Sequence, residues 1–201
     1  TEARAMWLER LSGGGEPLVD LQGAKDYLRI LSDETDSDVQ AAVASASAFL
    51  DVDEDGFGGL GFPLVSQQWI SKASCFASQI LRLPFSRIVS IDEIRFTAAD
   101  GQSGVVPAQD YQLVKAGREW RIVLLAGKVW PNLTNQPDAV DIHFTAGWAN
   151  VAAVPGDIID AAKVLTHHFF HPRGANADES VAEEVMRGVD RLTARYRRFA
   201  M

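Results

Sequence analysis

The sequence predicts an α+β protein: a four-helix bundle split by an inserted small antiparallel β region. Apolar residues recur at helical spacing near both ends of the chain, but between about residues 62 and 148 they alternate with a period of two. That middle stretch is also dense in Gly, Pro, Asn and Asp, the punctuation of strands and turns. The division implied is an N-terminal appendage over 1–16, a helical bundle drawn from 17–61 and 150–201 with a basic C-terminal tail, and a β insertion over 62–149.

Residues 1–16 read as an appendage because Gly13-Gly14-Gly15 interrupts regular structure and Pro17 follows. Met6, Trp7, Leu8 and Leu11 suit a short docking helix there. Asp20 is placed to cap a first helix, LQGAKDYLRIL, whose Leu21, Ala24, Leu28 and Leu31 share a face. The acids Asp33, Glu34, Asp36 and Asp38 favour the start of a second helix, which continues through Val39, Val43, Ala46 and Leu50 and ends before Gly56.

In the β region, Trp120, Ile122 and Leu124 alternate with Arg121 and Val123, and Val140, Ile142 and Phe144 with Asp141, His143 and Thr145. Weaker strand candidates lie near 66–74, 87–96 and 110–115. The alternation in RIVSIDEIRF slips near Asp92 and Glu93, which predicts a bulge. Pro155 and Asp157 then open a third helix with Ile158, Ala162, Leu165 and Phe169 on one face. A last helix is expected from about Asp178 to Phe199, with Val181, Val185, Val189, Leu192 and Tyr196 as its stripe and Arg187, Arg191, Arg195, Arg197 and Arg198 at its end.

Composition narrows the function. The chain has 201 residues, of which 47% are hydrophobic and 23% charged, the balance of a globular protein. No apolar run approaches the roughly 20 residues that cross a bilayer, so no membrane role is expected and synthesis is placed in a cytoplasm. The single cysteine, Cys75, has no internal partner for a disulfide. A net charge of −8 opposes gripping nucleic acid with the whole surface, because phosphate affinity comes from clustered Lys and Arg.

Two stretches invite a metal. In LTHHFFHPRG, His167 and His171 have the i, i+4 spacing of a chelating pair, but helix geometry turns His168 about 100° away from His167. Pro172 disfavours helix at His171, so the residues favour a plain helix end. In DVDEDGFGGLGF, Asp51, Asp53, Asp55 and Gly56 match the first half of a calcium-binding loop, yet its last position holds Phe62 where a bidentate Glu belongs. A metal- or calcium-binding enzyme or module using His167 and His171, or the Asp51–Asp55 loop, is therefore the rival reading. No nucleophile elbow or phosphate-binding loop appears, so neither an enzyme nor a cofactor is expected. The tail, RLTARYRRFAM, combines arginines with Tyr196 and Phe199 and points first to a protein partner, ahead of a plain helix end or nucleic acid.

Taken together, LVDLQGAKDYLRI, AAVASASAFL, LPFSRIVSIDEIRF and VDIHFTAGW followed by VPGDIIDAAKVLTHHFF resemble the head-tail connector (adaptor) family of long-tailed bacteriophages, prophages and gene transfer agents. The resemblance covers about residues 18–199. It implies a virion structural protein, made in the bacterial cytoplasm and located in the neck of a virion or phage-like particle. The chain would form a ring with itself, typically of twelve subunits, beneath the portal protein. A tail-side stopper or terminator protein would follow, and DNA would pass through the channel without sequence-specific binding. It also implies that the end of the last helix reaches the portal, giving Arg191, Arg195, Tyr196, Arg197, Arg198 and Phe199 a partner.

Overall fold

The computed structural model of the chain describes residues 7–76, 78–171 and 179–197, the side chains of 179–181 excepted. The expected four-helix bundle with a small β insert is not what forms. Among the described residues, four helices are joined by eight strands in two antiparallel sheets, so strand and helix occupy comparable lengths of chain. The β part is large enough to build its own core. The chain divides into two compact units, one from the residues up to Gly13 with Glu54–Phe57 and Ser66–Gly147, the other from Gly14–Asp53, Gly58–Val65 and the chain from Trp148 onward.

The first unit is the β unit. Its strands are β1 (Trp7–Ser12), β2 (Gln67–Ala73), β3 (Ile80–Arg82), β4 (Ile88–Thr97), β5 (Ser103–Val105), β6 (Tyr111–Ala116), β7 (Glu119–Leu124) and β8 (Val140–Ala146). They form a five-stranded sheet in the order β1-β2-β8-β4-β5 and a three-stranded sheet in the order β3-β7-β6. β8 occupies the centre of the larger sheet because its alternation is the cleanest: Val140, Ile142, Phe144 and Ala146 are buried, and the residues between them are half-buried. Trp69, Phe85 and Phe144 form a core of tilted aromatic rings with centroids 5.0 and 6.0 Å apart. Ile122 and Leu81 bring the smaller sheet's apolar face into the same unit's buried set.

Trp7–Ser12 pairs with β2 as a strand, where the sequence allowed a short helix. The expected bulge is present. The β4–β8 register shifts between Ile91 and Glu93, and the skipped Asp92 accepts hydrogen bonds from Ser90 Oγ at 2.8 Å and Thr145 Oγ1 at 3.1 Å. The stretches LPFSRIVSI and FTAGW meet in this unit: Gly147 N–H donates to the Arg87 carbonyl, and Arg87 Nε donates to the Gly147 carbonyl, both at 3.2 Å.

The second unit holds the helices α1 (Leu21–Leu28), α2 (Asp36–Leu50), α3 (Gly156–Phe170) and α4 (Glu179–Thr193). Asp20 caps α1 as its sequence position predicts, accepting from Gly23 N–H at 3.1 Å. The helix stops early, because Arg29 adopts the left-handed conformation at φ 59° and its N–H turns back to the carbonyls of Asp26 and Lys25. Leu31, expected on the apolar stripe, is consequently 99% exposed. α2 buries Val39, Ala42, Val43, Ala46 and Leu50, and α3 buries Ile158, Ala161, Ala162 and Leu165. α1 is only eight residues long, and of the described stripe on α4 only Val189 is fully buried, so the helices form an uneven layer in place of a regular bundle.

Candidate assembly surface

The histidines sit at the end of α3, whose helical path places His167 and His171 together and His168 elsewhere. The rings of His167 and His171 lie 4.4 Å apart, whereas His168 faces Phe169 at 5.6 Å. His171 is the residue that closes α3, its N–H reaching the His167 carbonyl at 3.3 Å. Burial, and then the neighbouring His171 and His168, hold the His167 imidazole below its ordinary pKa. Two imidazoles make half a structural zinc site, and among the described residues no group of three or more His, Cys, Asp or Glu side chains could hold a metal ion. Pro172 lies outside the described residues.

The acidic loop after α2 is organised as a chain reversal. Asp51 Oδ1 accepts from the backbone N–H of Val52 and of Leu64, each at 2.9 Å. The Leu60 N–H returns to the Leu50 carbonyl at 3.0 Å. Gly59 makes that return possible, since at φ 47° a Cβ there would stand 2.2 Å from the Asp51 carbonyl oxygen. Phe62, which occupies the last position of the calcium-loop pattern, is buried with its ring 5.5 Å from that of Trp148. The loop therefore closes on an aromatic contact at the position where calcium needs a carboxylate.

The basic tail is less helical than its sequence implied. α4 ends at Thr193, which is fully buried and donates its hydroxyl to the Val189 carbonyl at 2.8 Å. A turn follows, with the N–H groups of Tyr196 and Arg197 both directed at the Thr193 carbonyl. Beyond the helix, Arg195 pairs with Asp157 and lays its guanidinium over the Tyr196 ring at 4.9 Å. Arg197 pairs with Asp190 at 2.7 Å, and Arg191 on the last helical turn is exposed. The structure thus brings Arg191, Arg195, Tyr196 and Arg197 to one end of α4, while Arg198 and Phe199 lie outside the described residues.

Sequence reasoning missed several exposed apolar side chains. Phe57 is 72% and Val129 81% exposed, and Phe49 on α2 is 45% exposed with its ring edge-on to Phe169 at 6.3 Å. In the sequence Phe57 is a lone aromatic set among glycines in DGFGGLG, within the stretch that also carries the calcium-loop pattern. Trp130 is half-buried, stacked on Phe76 at 4.3 Å and donating its indole N–H to the Ser78 carbonyl at 2.8 Å.

No family model and no curated protein matches the chain. Solved structures do, over 96% of this chain and 96% of each matched chain, at 22% identity. The fold is similar to chains from the neck of an empty GTA particle computed with C6 symmetry, with a TM-score of 0.67. It is similar also to a chain in the virion of a native gene transfer agent (GTA) particle, TM-score 0.68, and to one in the neck of a native GTA particle computed with C12 symmetry, TM-score 0.62. At this identity the likeness is one of fold.

Proposed function

We propose that the chain is a structural component of the neck of a virion or phage-like particle: a head-tail adaptor of the connector family. Copies form a ring beneath the portal protein, join the capsid vertex to a tail-side stopper or terminator protein, and let DNA pass. The supporting observation is that the fold is matched along 96% of both chains by proteins found in particle necks, including reconstructions with sixfold and twelvefold symmetry. In this reading the protein turns over no substrate. Assembly is its work, through repeated head-to-tail contacts that close on themselves. The net charge of −8 suits a passage that DNA crosses without being held.

The portal contact is assigned to the end of α4 and the residues after it: Arg191, Arg195, Tyr196, Arg197, Arg198 and Phe199. Arginine beside an aromatic ring is the combination that dominates protein interfaces, and Arg191 is exposed. The exposed ion pair of Arg195 with Asp157 contributes little to folding, since such pairs are screened by solvent. Removing residues 194–201 leaves the buried Thr193 in place, so the cut separates folding from docking.

The full chain and the chain ending at Thr193 are to be mixed with the portal protein of the same particle and imaged by electron microscopy. The expected result is a ring on the portal from the full chain and none from the shortened one, with equal melting temperatures. Rings from both would remove the tail assignment. No ring from the full chain would overturn the adaptor reading itself.

A further inference from the structure

Within the β unit nearly every charged side chain is already engaged. Arg10 pairs with Glu54, Lys72 with Glu9, Arg82 and Arg121 with Glu119, Arg95 with Glu93, and Lys128 with Asp110. Arg87 donates to the Gly147 carbonyl, Lys115 lies over the Trp120 ring, and Asp55, Asp92 and Asp100 have contacts of their own. Among the described residues of the unit, one cationic side chain, Arg118, and two carboxylates, Asp138 and Asp141, are left without a hydrogen bond or ion pair. The two carboxylates share one place: both line a pocket of about 440 Å³ at the β5 edge of the larger sheet, together with Arg95, Thr97 and Ser103. We infer that the Arg118 side chain of one copy enters this pocket of the next copy and pairs with Asp138 and Asp141, as a repeated contact of the ring; the inference rests on the adaptor reading.

Register and charge carry the match. Arg95 on β4 stands opposite Asp141 on β8 and Val105 on β5, and Thr97 opposite Ser103, so these side chains rise from one face of the sheet. Asp141 Oδ1 is buried there and accepts no hydrogen bond, a state whose cost an incoming N–H donor would remove. Burial pushes the Asp141 carboxyl above its ordinary pKa, although Lys72, His143 and Arg95 pull it the other way. Arg95 does not neutralise the pocket, because it is paired with Glu93: three carboxylates stand against one guanidinium. The opposite holds at the other surface. β6 and β7 are joined by Gly117-Arg118 alone, since Ala116 pairs with Glu119, and Arg118 is exposed at the tip of this hairpin. Lys115, Arg118 and Arg121 outnumber Glu119 there. A guanidinium presents parallel N–H groups that fit a carboxylate and has others left for the hydroxyls of Thr97 and Ser103. On a chain of net charge −8, a cationic tip meeting an acidic pocket fixes which surfaces of neighbouring copies attract. Tip and pocket are different surfaces, so their contact repeats around an axis, which a ring requires.

The test is a charge exchange in the full-length chain, with Arg118→Glu, Asp138→Arg and the double variant each mixed with the portal protein and imaged beside the unsubstituted chain. Both positions are exposed, so melting temperatures should be unchanged. Each single variant should lose the ring, its self-association by sedimentation weakening roughly thirtyfold or more, and the double variant should regain it. An equal mixture of the two single variants should also form rings, because alternating copies match the reversed tip to the reversed pocket and the native tip to the native pocket. Rings from either single variant alone would overturn the contact and leave the adaptor reading standing, as would a mixture that fails where the double variant succeeds, the mark of a pair within one chain. Failure of both the double variant and the mixture would overturn it too, whereas no ring from the unsubstituted chain overturns both readings. Arg118→Gln, which only removes the charge, should weaken self-association in the same sense and make it less sensitive to salt; an unaltered salt dependence would also overturn the contact.

Discussion

Lys25 shows how a single side chain can tie two elements together. Its side chain is only 6% exposed, and its ammonium group lies 2.5 Å from Asp33 and 2.7 Å from Asp36, so α1 is fastened to the start of α2 across the connection between them. The hydrogen bonds to Asp33 and Asp36 raise the Lys25 pKa above the ordinary lysine value, and the bond from Lys25 holds Asp33 below the ordinary carboxylate value. The signs fix the pH dependence. A depressed carboxylate stabilises the fold above its unfolded-state pKa and loses that effect as pH falls through the folded value. A raised amine stabilises below its unfolded-state pKa and loses the effect as pH rises through the folded one. Melting curves of the native chain and of Lys25→Met should therefore differ most near neutral pH and converge at both extremes. A difference independent of pH would trace the role of Lys25 to packing alone. Nothing in the sequence marked this lysine, because its partners lie eight and eleven residues ahead and only the early stop of α1 at Arg29 brings the chain back to them.

Among the elements, β8 is the central strand of the larger sheet, pairing along its whole length with β2 and β4 and contributing Ile142 and Phe144 to the core. Phe144→Ala should cost about 3–5 kcal/mol, read as a lowered urea midpoint with an unchanged slope. This strand was legible in the sequence for the same reason that it matters: burial of one face imposes strict alternation. The starts of α1, α2 and α3 were legible too: Asp20 caps α1 through a bond three residues away, the acids Asp36 and Asp38 stand in the first turn of α2, and Pro155 immediately precedes α3. What stayed hidden depends on distant partners. β3 and β5 are three residues long, too short for a period, and β1 is a strand only because β2 offers it an edge. The end of α4 misled in the opposite sense. Its basic run reads as continuous helix, yet Arg195 leaves the helical path to meet Asp157 and Tyr196. Of the candidate contacts, the tail was visible as a composition, whereas the pocket lined by Asp138 and Asp141 is assembled from several strands and belongs to none alone.

For the whole molecule, 22% identity with 96% coverage means that the architecture persists while most side chains have changed. The contacts required by the proposed function therefore have to be sought on this chain's own surface, beginning with the end of α4. The order β1-β2-β8-β4-β5 carries one more consequence, and it concerns time. β2 and β4 never pair with each other; both wait for β8, which lies more than forty residues after β4 in the chain. Contacts of such sequence separation are slow to close, because the loop entropy is spent before any pairing repays it. On the ribosome the larger sheet stays open until the residues of β8 have emerged. A fragment ending at residue 139 should thus show no cooperative urea transition, and adding residues 140–147 should restore one in the β unit. Until its central strand is delivered, the nascent chain carries two strand edges in need of cover, and the interval before residue 146 emerges is when it most needs protection from aggregation.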